Sequence, residues 1–81
     1  MSFSRIKEVK GNFYCSNNNL KSLKGCPEKV GGDFGCQYND LTSLEGAPKV
    51  VGGDFYCYKN PTQFTKEDVR KVCDVKGKIY V

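Results

Sequence analysis

The 81-residue chain contains no histidine and no tryptophan. Histidine is the side chain that titrates closest to neutral pH and the commonest metal ligand, so its absence counts against an acid–base enzyme and against a zinc centre. Four leucines and two isoleucines cannot build a thick central core, and 9.1 kDa fits one small domain. We therefore expect a protein that is not an enzyme, with no cofactor and no metal.

The chain also lacks a long apolar run and an export signal. No stretch approaches the ~18 apolar residues that suggest a membrane span, and the first residues lack the apolar segment of a signal peptide. The five cysteines are an odd number, which indicates a reduced cytoplasmic protein rather than a disulfide scaffold. The formal net charge is +4, but residues 31–60 carry two basic and four acidic side chains. A continuous basic surface for nucleic acid is therefore not expected.

An internal repeat organises most of the chain. Residues 9–29 match residues 30–50 at 10 of 21 positions, and the unit reads V-x-G-[ND]-F-x-C-x-x-N-x-L-x-S-L-x-G-x-P. A short fixed period indicates a solenoid, in which each coil buries apolar side chains against its neighbours. We divide the single domain 1–81 into a partial N-terminal coil (1–10), three repeats (9–29, 30–50 and 51–61) and a C-terminal helical cap (62–81).

Each recurring slot of the unit has a structural role. Phe13 and Cys15 are two residues apart, so both point to the inward side of a strand. Asn18 turns the chain, and its amide is expected to satisfy backbone groups of its own turn and of the next coil. Leu20 and Leu23 return to the core beneath the strand. The repeated cysteines are thus small buried hydrophobes, since one thiolate per coil does not form a tetrahedral metal site.

The C-terminal segment departs from the repeat and predicts a helix. Thr65 and Asp68 fit a capping box in its aspartate form. Val69, Val72 and Cys73 share one helical face, which is expected to close the end of the core.

The two ends complete the predicted fold. Phe3 and Ile6 are expected to cover the first layer, and residues 78–81 read as a short final strand. The fold class predicted is an α/β solenoid, mostly β, with a right-handed, leucine-rich-repeat-like coil. Its parallel sheet is closed by the C-terminal helix and the short strand.

The segment G-G-D-F-x-C-x-x-N-D-L-T-S-L-E-G-A-P-K-V-V-G-G-D-F resembles the short leucine-rich-repeat-like proteins encoded by tailed bacteriophages, over about residues 6–60. It is more distantly similar to the short-repeat effectors of enteric pathogens. The resemblance implies a solenoid fold, the cytoplasm of an infected host as the setting and a protein-binding role. Some small phage proteins of this kind inhibit host enzymes or defence systems. The resemblance names no target, and about three coils give a smaller binding face than longer members have.

Residues that alternate with the inward Phe and Cys are expected to form the binding surface, on the concave face of the sheet. Tyrosine is enriched at interfaces because it offers a large area and a polar tip at low entropic cost. The predicted protein-binding residues are Asn12, Tyr14 and Ser16 in the first coil, Asp33, Gln37 and Tyr38 in the second, and Asp54, Tyr56, Tyr58 and Lys59 in the third. Asn17 and Gly35 lie on the same face.

Three functional hypotheses remain open at this point. The favoured one is a non-enzymatic binding module for a host or phage protein. A self-assembling homo-oligomer and a single-strand nucleic-acid binder are the alternatives. Asp33 and Asp54 each follow a Gly-Gly pair, so both also fit a structural role as acceptors within their own turns. A redox role for Cys26 or Cys73 is left open.

Overall fold

The computed structural model describes residues 7–81. The expected roles of Phe3 and Ile6 lie outside the described residues. The helix α1 spans Lys66–Val72. The strands, each of two residues, are β1 (Glu8–Val9), β2 (Phe13–Tyr14), β3 (Lys29–Val30), β4 (Phe34–Gly35), β5 (Val50–Val51), β6 (Phe55–Tyr56), β7 (Asp74–Val75) and β8 (Ile79–Tyr80).

Each coil contributes one strand to each of two parallel sheets, ordered β1-β3-β5-β7 and β2-β4-β6-β8. Successive coils pair in the register of the sequence repeat, as Phe13 pairs with Phe34 and Phe34 with Phe55. The last step, from Phe55 to Ile79, is three residues longer, because α1 lies between β6 and the final pair of strands. The mostly β solenoid with its C-terminal helix and short strand is confirmed. The sequence predicted one strand in each coil, and the valine that opens each repeat forms the second.

The core is a set of columns of like residues. Phe34 and Phe55 are fully buried, with ring centroids 5.0 Å apart, and the ring of Phe13 stacks 5.9 Å from that of Phe34. Phe13 itself is only partly buried. The adjacent columns contain the buried cysteines and valines, namely Cys15, Cys36, Cys57, Val30, Val51 and Val75. The predicted inward direction of the repeated Phe and Cys side chains is therefore confirmed.

A buried asparagine joins neighbouring coils at the turn after the second strand. The Oδ1 atom of Asn39 accepts hydrogen bonds from the backbone N–H groups of Asn18 (2.9 Å) and Leu20 (3.0 Å). Its Nδ2 atom donates to the carbonyl oxygens of Cys15 and Cys36, each at 3.0 Å. The expected bonds within its own turn are present, but the other coil that Asn39 contacts is the preceding one and not the next.

Close approach of the coils explains the Gly-Gly pairs. A Cβ atom at Gly52 would overlap the carbonyl oxygen of Gly31, and one at Gly31 would overlap that of Lys10. Backbone therefore packs on backbone here, without room for a methyl group. Gly11 in the first described coil is equivalent to Gly32 and Gly53, and within residues 7–81 no atom lies within 4 Å of where its Cβ would be.

The helix α1 begins at a capping box. The Oγ1 atom of Thr65 accepts from the N–H of Asp68 (3.1 Å), and Asp68 Oδ2 accepts from the N–H of Thr65 (2.9 Å), so the predicted capping box is confirmed. The hydrogen bonds from Thr65 lower the pKa of Asp68. Val69 is fully buried. The helix contacts both β7 and β8, the last strands of the two sheets in the described chain.

Two details of the predicted helical face are wrong. Val72 is 43% exposed, because this last residue of the helix lines an open depression shared with Leu44 and Phe64. Cys73 is buried, but it is the C-cap residue rather than a helical one, with extended backbone (φ −145°) and an N–H that donates to Val69 O.

The glycine contacts predict a strong asymmetry between two alanine substitutions. Gly52→Ala should lower the free energy of unfolding by about 3 kcal/mol or abolish folding, because the methyl group meets rigid backbone. Gly11→Ala should change stability by less than about 1 kcal/mol. Urea denaturation followed by circular dichroism measures both. Equal effects of the two substitutions would show that the coils do not approach as described.

The buried hydrogen bonds of Asn39 predict a second large loss of stability. Asn39→Ala removes the acceptor of the N–H groups of Asn18 and Leu20, and one of two side-chain donors to each of two carbonyl groups, so it should cost about 3 kcal/mol. Asp40→Ala, at the exposed neighbouring side chain, is the control and should be close to neutral. Denaturation midpoints that match for the two variants would contradict this role of Asn39.

Candidate functional site

The outward side of the β2-β4-β6-β8 sheet is aromatic. Since side chains alternate along a strand, the residue after each inward Phe or Ile faces outward. These outward residues are Tyr14, Gly35, Tyr56 and Tyr80. Tyr58 continues the alternation beyond β6, and Tyr38 lies beside it in the preceding turn. We call the five residues Tyr14, Tyr38, Tyr56, Tyr58 and Tyr80 the tyrosine face. They are all the tyrosines of the chain.

One half of the tyrosine face is built on paired strands. The rings of Tyr56 and Tyr80 stack almost parallel, with centroids 4.7 Å apart and planes 4° from each other. The ring of Tyr14 leans over Gly35, since a Cβ atom at Gly35 would lie 2.7 Å from Tyr14 Cδ1. Glycine at this position therefore allows the Tyr14 ring to lie across the neighbouring strand. Tyr14 is 54% exposed and Tyr80 is 40% exposed.

The other half lies at the turns that follow the strands. Tyr38 meets Tyr58 edge to face, with centroids 5.7 Å apart. Tyr38 has a left-handed backbone (φ 58°), as do the residues at the equivalent positions of the other coils, Asn17 (φ 60°) and Lys59 (φ 59°). Asparagine tolerates this conformation, whereas a bulky side chain is strained in it, at a cost of about 1 kcal/mol. Tyr38 holds this conformation while half of its surface is exposed.

A column of side-chain oxygens runs beside the tyrosines. Asn12 Oδ1 accepts from Asp33 N (2.7 Å), Asp33 Oδ1 from Asp54 N (2.8 Å), and Asp54 Oδ1 from Lys78 N (2.8 Å). The expectation that Asp33 and Asp54 serve their own turns is wrong. Each accepts a hydrogen bond from the next coil, because the Gly-Gly pairs bring that backbone within reach.

The second carboxylate oxygens of the column face tyrosine hydroxyls. Tyr14 donates to Asp33 Oδ2 at 3.4 Å, and Tyr56 donates to Asp54 Oδ2 at 3.5 Å. Partial desolvation against the sheet and the negative charge of Asp33 raise the pKa of both tyrosines. The phenols therefore remain protonated donors at neutral pH.

The other predicted site residues occupy the margins of this face. Ser16 and Gln37 are partly buried and Lys59 is exposed. The Oε1 atom of Gln37 is buried, without a hydrogen-bond partner within the described chain, and it lies close to Gly35. The structure thus brings the predicted residues together around one sheet.

Sequence reasoning missed Tyr80. The segment Lys78-Ile79-Tyr80 repeats the pattern of Asp54-Phe55-Tyr56, but at a longer interval than the one that separates the earlier coils. Allowing for three extra residues across the helix would have revealed this fourth coil.

The cysteines belong to the core rather than to this face. All five are buried thiols. Burial raises the pKa of Cys57 to about 11 and that of Cys73 to about 12. The pKa of Cys15 is raised mainly by its hydrogen bond with the Cys26 thiol and to a lesser extent by burial. Burial also raises the pKa of Cys36. Thiols this hard to deprotonate are poor nucleophiles at neutral pH. Among residues 7–81 no set of three potential ligands is placed to hold a metal ion.

Two surface depressions lie away from the tyrosine face, beside the helix. One of about 390 Å³ is lined by residues 70–75, and one of about 310 Å³ lies between Leu44, Phe64 and Val72. Neither is lined by a tyrosine. Within the described residues, no helix has the length and apolar character needed to cross a membrane.

Comparison with protein-family models, with curated proteins and with solved structures finds no match for this chain. The geometry of the face therefore carries the functional argument.

The carboxylate column predicts a specific change in tyrosine ionisation. Asp33→Asn should lower the pKa of Tyr14, because it removes the nearest negative charge, while the contribution of desolvation remains. A pH titration of ¹³Cζ-tyrosine resonances resolves the five rings. Asp40→Asn, whose carboxylate lies at the turn, should leave Tyr14 unchanged. A Tyr14 titration that is the same in Asp33→Asn and wild type would remove Asp33 from the neighbourhood of the phenol.

Proposed function

We propose that this chain is a non-enzymatic protein-binding module that uses the tyrosine face. The observation that carries the proposal is the grouping of all five tyrosines on and beside one sheet, with Tyr14, Tyr38 and Tyr80 each at least 40% exposed. Exposed apolar surface of this kind is characteristic of interaction sites, and tyrosine is enriched in them. A short solenoid presents such a sheet as a rigid surface, which lowers the entropic cost of binding.

The backbone at Tyr38 supports the same proposal. The equivalent position in the first coil is Asn17, which adopts the left-handed conformation with little strain. Tyr38 is not required to fill the core, since half of its side chain is exposed. A strained, exposed aromatic residue suggests that its ring is retained for a contact outside the chain.

The finer proposal follows from the resemblance to phage proteins. On that basis the chain is a phage-encoded inhibitor or modulator of a host protein or defence system, acting in the host cytoplasm. The target is a protein with a surface complementary to a small aromatic sheet.

Self-assembly is the second candidate. Strands β7 and β8 are the last of their sheets in the described chain, and an unpaired strand edge invites pairing with another copy. Single-strand nucleic-acid binding is less favoured, because Asp33 and Asp54 lie beside the tyrosines and repel phosphate.

Replacement of Tyr38 by asparagine separates binding from folding. Tyr38→Asn should leave the free energy of unfolding within about 1 kcal/mol of wild type, because asparagine accepts the same backbone conformation, yet it should weaken partner binding at least about tenfold. Asp40→Asn is the matched control, since its exposed side chain lies in the same turn as Tyr38 but is not one of the predicted site residues. Affinity capture from bacterial lysate, quantified by mass spectrometry, compares the three proteins.

A partner retained by wild type and Asp40→Asn but lost by Tyr38→Asn is the expected result. Partners that bind all three proteins equally would contradict the role of the tyrosine face. A mass that rises with concentration, with no other protein captured, would favour self-assembly instead.

A further inference from the structure

The hydrogen bonds that the Asn12, Asp33 and Asp54 side chains accept from the next coil do not require a negatively charged acceptor. Asn12 Oδ1 accepts from the next coil at 2.7 Å, and the Asp33 and Asp54 carboxylates make the same bond at 2.8 Å. A neutral amide therefore performs the structural task in the first coil. The charges of Asp33 and Asp54 are additional to it.

These two charges are not neutralised within the described chain. Among residues 7–81 the ion pairs are Lys24–Glu45 (3.3 Å) and Lys76–Asp74 (2.8 Å), and neither includes a carboxylate of the column. Asp33 and Asp54 lie one coil apart, roughly 4.8 Å along the sheet. Like charges this close repel each other. The two carboxylates thus form a local negative site on a protein whose net charge is +4.

The surface is rich in hydrogen-bond acceptors. Asp33 Oδ2 and Asp54 Oδ2 receive only the long contacts of 3.4 and 3.5 Å from tyrosine hydroxyls. A group with several donors and no acceptor would satisfy these oxygens, and the guanidinium group has five donors in one plane.

Tyrosine side chains lie beside the same oxygens. Tyr14 leans over Gly35, the Tyr56 ring stacks on Tyr80, and the hydroxyl groups of Tyr14 and Tyr56 each approach one of the two carboxylates. A guanidinium group stacks on aromatic rings and bonds carboxylates in its own plane, whereas an ammonium group offers only a point charge.

We propose that Asp33 and Asp54, framed by Tyr14 and Tyr56, form a receptor for one arginine side chain of the partner protein. This inference rests on the proposed binding function and specifies the chemistry of the partner. The guanidinium bridges the two Oδ2 atoms and packs against the tyrosine rings.

The test uses a defined probe and the intact chain. The probe is a blocked Gly-Pro-Arg-Pro-Gly pentapeptide, in which the prolines keep the peptide extended and limit its entropic cost. Two matched peptides carry lysine or citrulline in place of arginine. Binding is measured by ¹H–¹⁵N NMR titration of wild type and of the Asp33→Asn/Asp54→Asn double variant. That variant keeps the acceptor oxygens, as Asn12 does, so its spectrum and unfolding midpoint should remain those of a folded protein.

The arginine peptide should shift the amide resonances of residues 33–35 and 54–56. The citrulline peptide and the double variant should each reduce affinity on the order of tenfold or more, and lysine should bind more weakly than arginine. Equal binding of arginine and citrulline peptides, or undiminished binding by the folded double variant, would overturn the arginine receptor and leave the binding function intact. A failure of every peptide to shift the tyrosine face, together with a partner captured equally by wild type and Tyr38→Asn, would overturn both.

Discussion

Stacking of each coil on the last in a constant register is the constraint on which this structure depends. The strands are only two residues long, so their own ladders hold the coils weakly. Backbone hydrogen bonds outside the strands also join successive coils. Side chains that bond the backbone of a neighbouring coil hold the register further, namely Asn39 at one turn and Asn12, Asp33 and Asp54 at another. Gly-Gly pairs permit this approach by leaving room for backbone against backbone. Any residue that separates the coils there therefore weakens several kinds of bond together.

The same register creates the tyrosine face. Equivalent residues of successive coils form columns, so a single substitution in one repeat changes one side chain of a column and leaves the others in place. Tyrosine recurs in the outward column at Tyr14, Tyr56 and Tyr80, and the exception, Gly35, is covered by the Tyr14 ring. The neighbouring column combines a structural hydrogen bond on one carboxylate oxygen with an exposed charge on the other. In Asp33 and Asp54, the oxygen that bonds the next coil and the oxygen proposed to bind a partner are therefore different atoms.

The sequence predicted the solenoid, the inward Phe and Cys columns and the capping box, because each follows from a period or a short local pattern. It did not predict the second sheet, since strands of two residues leave almost no alternation to detect. Tyr80 was missed because the helix lengthens the last coil beyond the period of the repeat. The role of Asp33 and Asp54 was assigned to the wrong coil, as a local turn and a contact with the adjacent coil have the same sequence signature. The strain at Tyr38 depends on a backbone angle, which the sequence does not reveal.

The central claim is that register places the tyrosines together on one rigid face. Nuclear Overhauser contacts between aromatic and backbone protons test it most directly. The account predicts contacts from the Tyr14 ring to the Gly35 Hα protons, with those protons shifted upfield by the ring, and contacts between the Tyr56 and Tyr80 rings. Absence of the Tyr56–Tyr80 contacts, or Gly35 Hα shifts unchanged by Tyr14→Leu, would contradict the register and with it the face on which the proposed function stands.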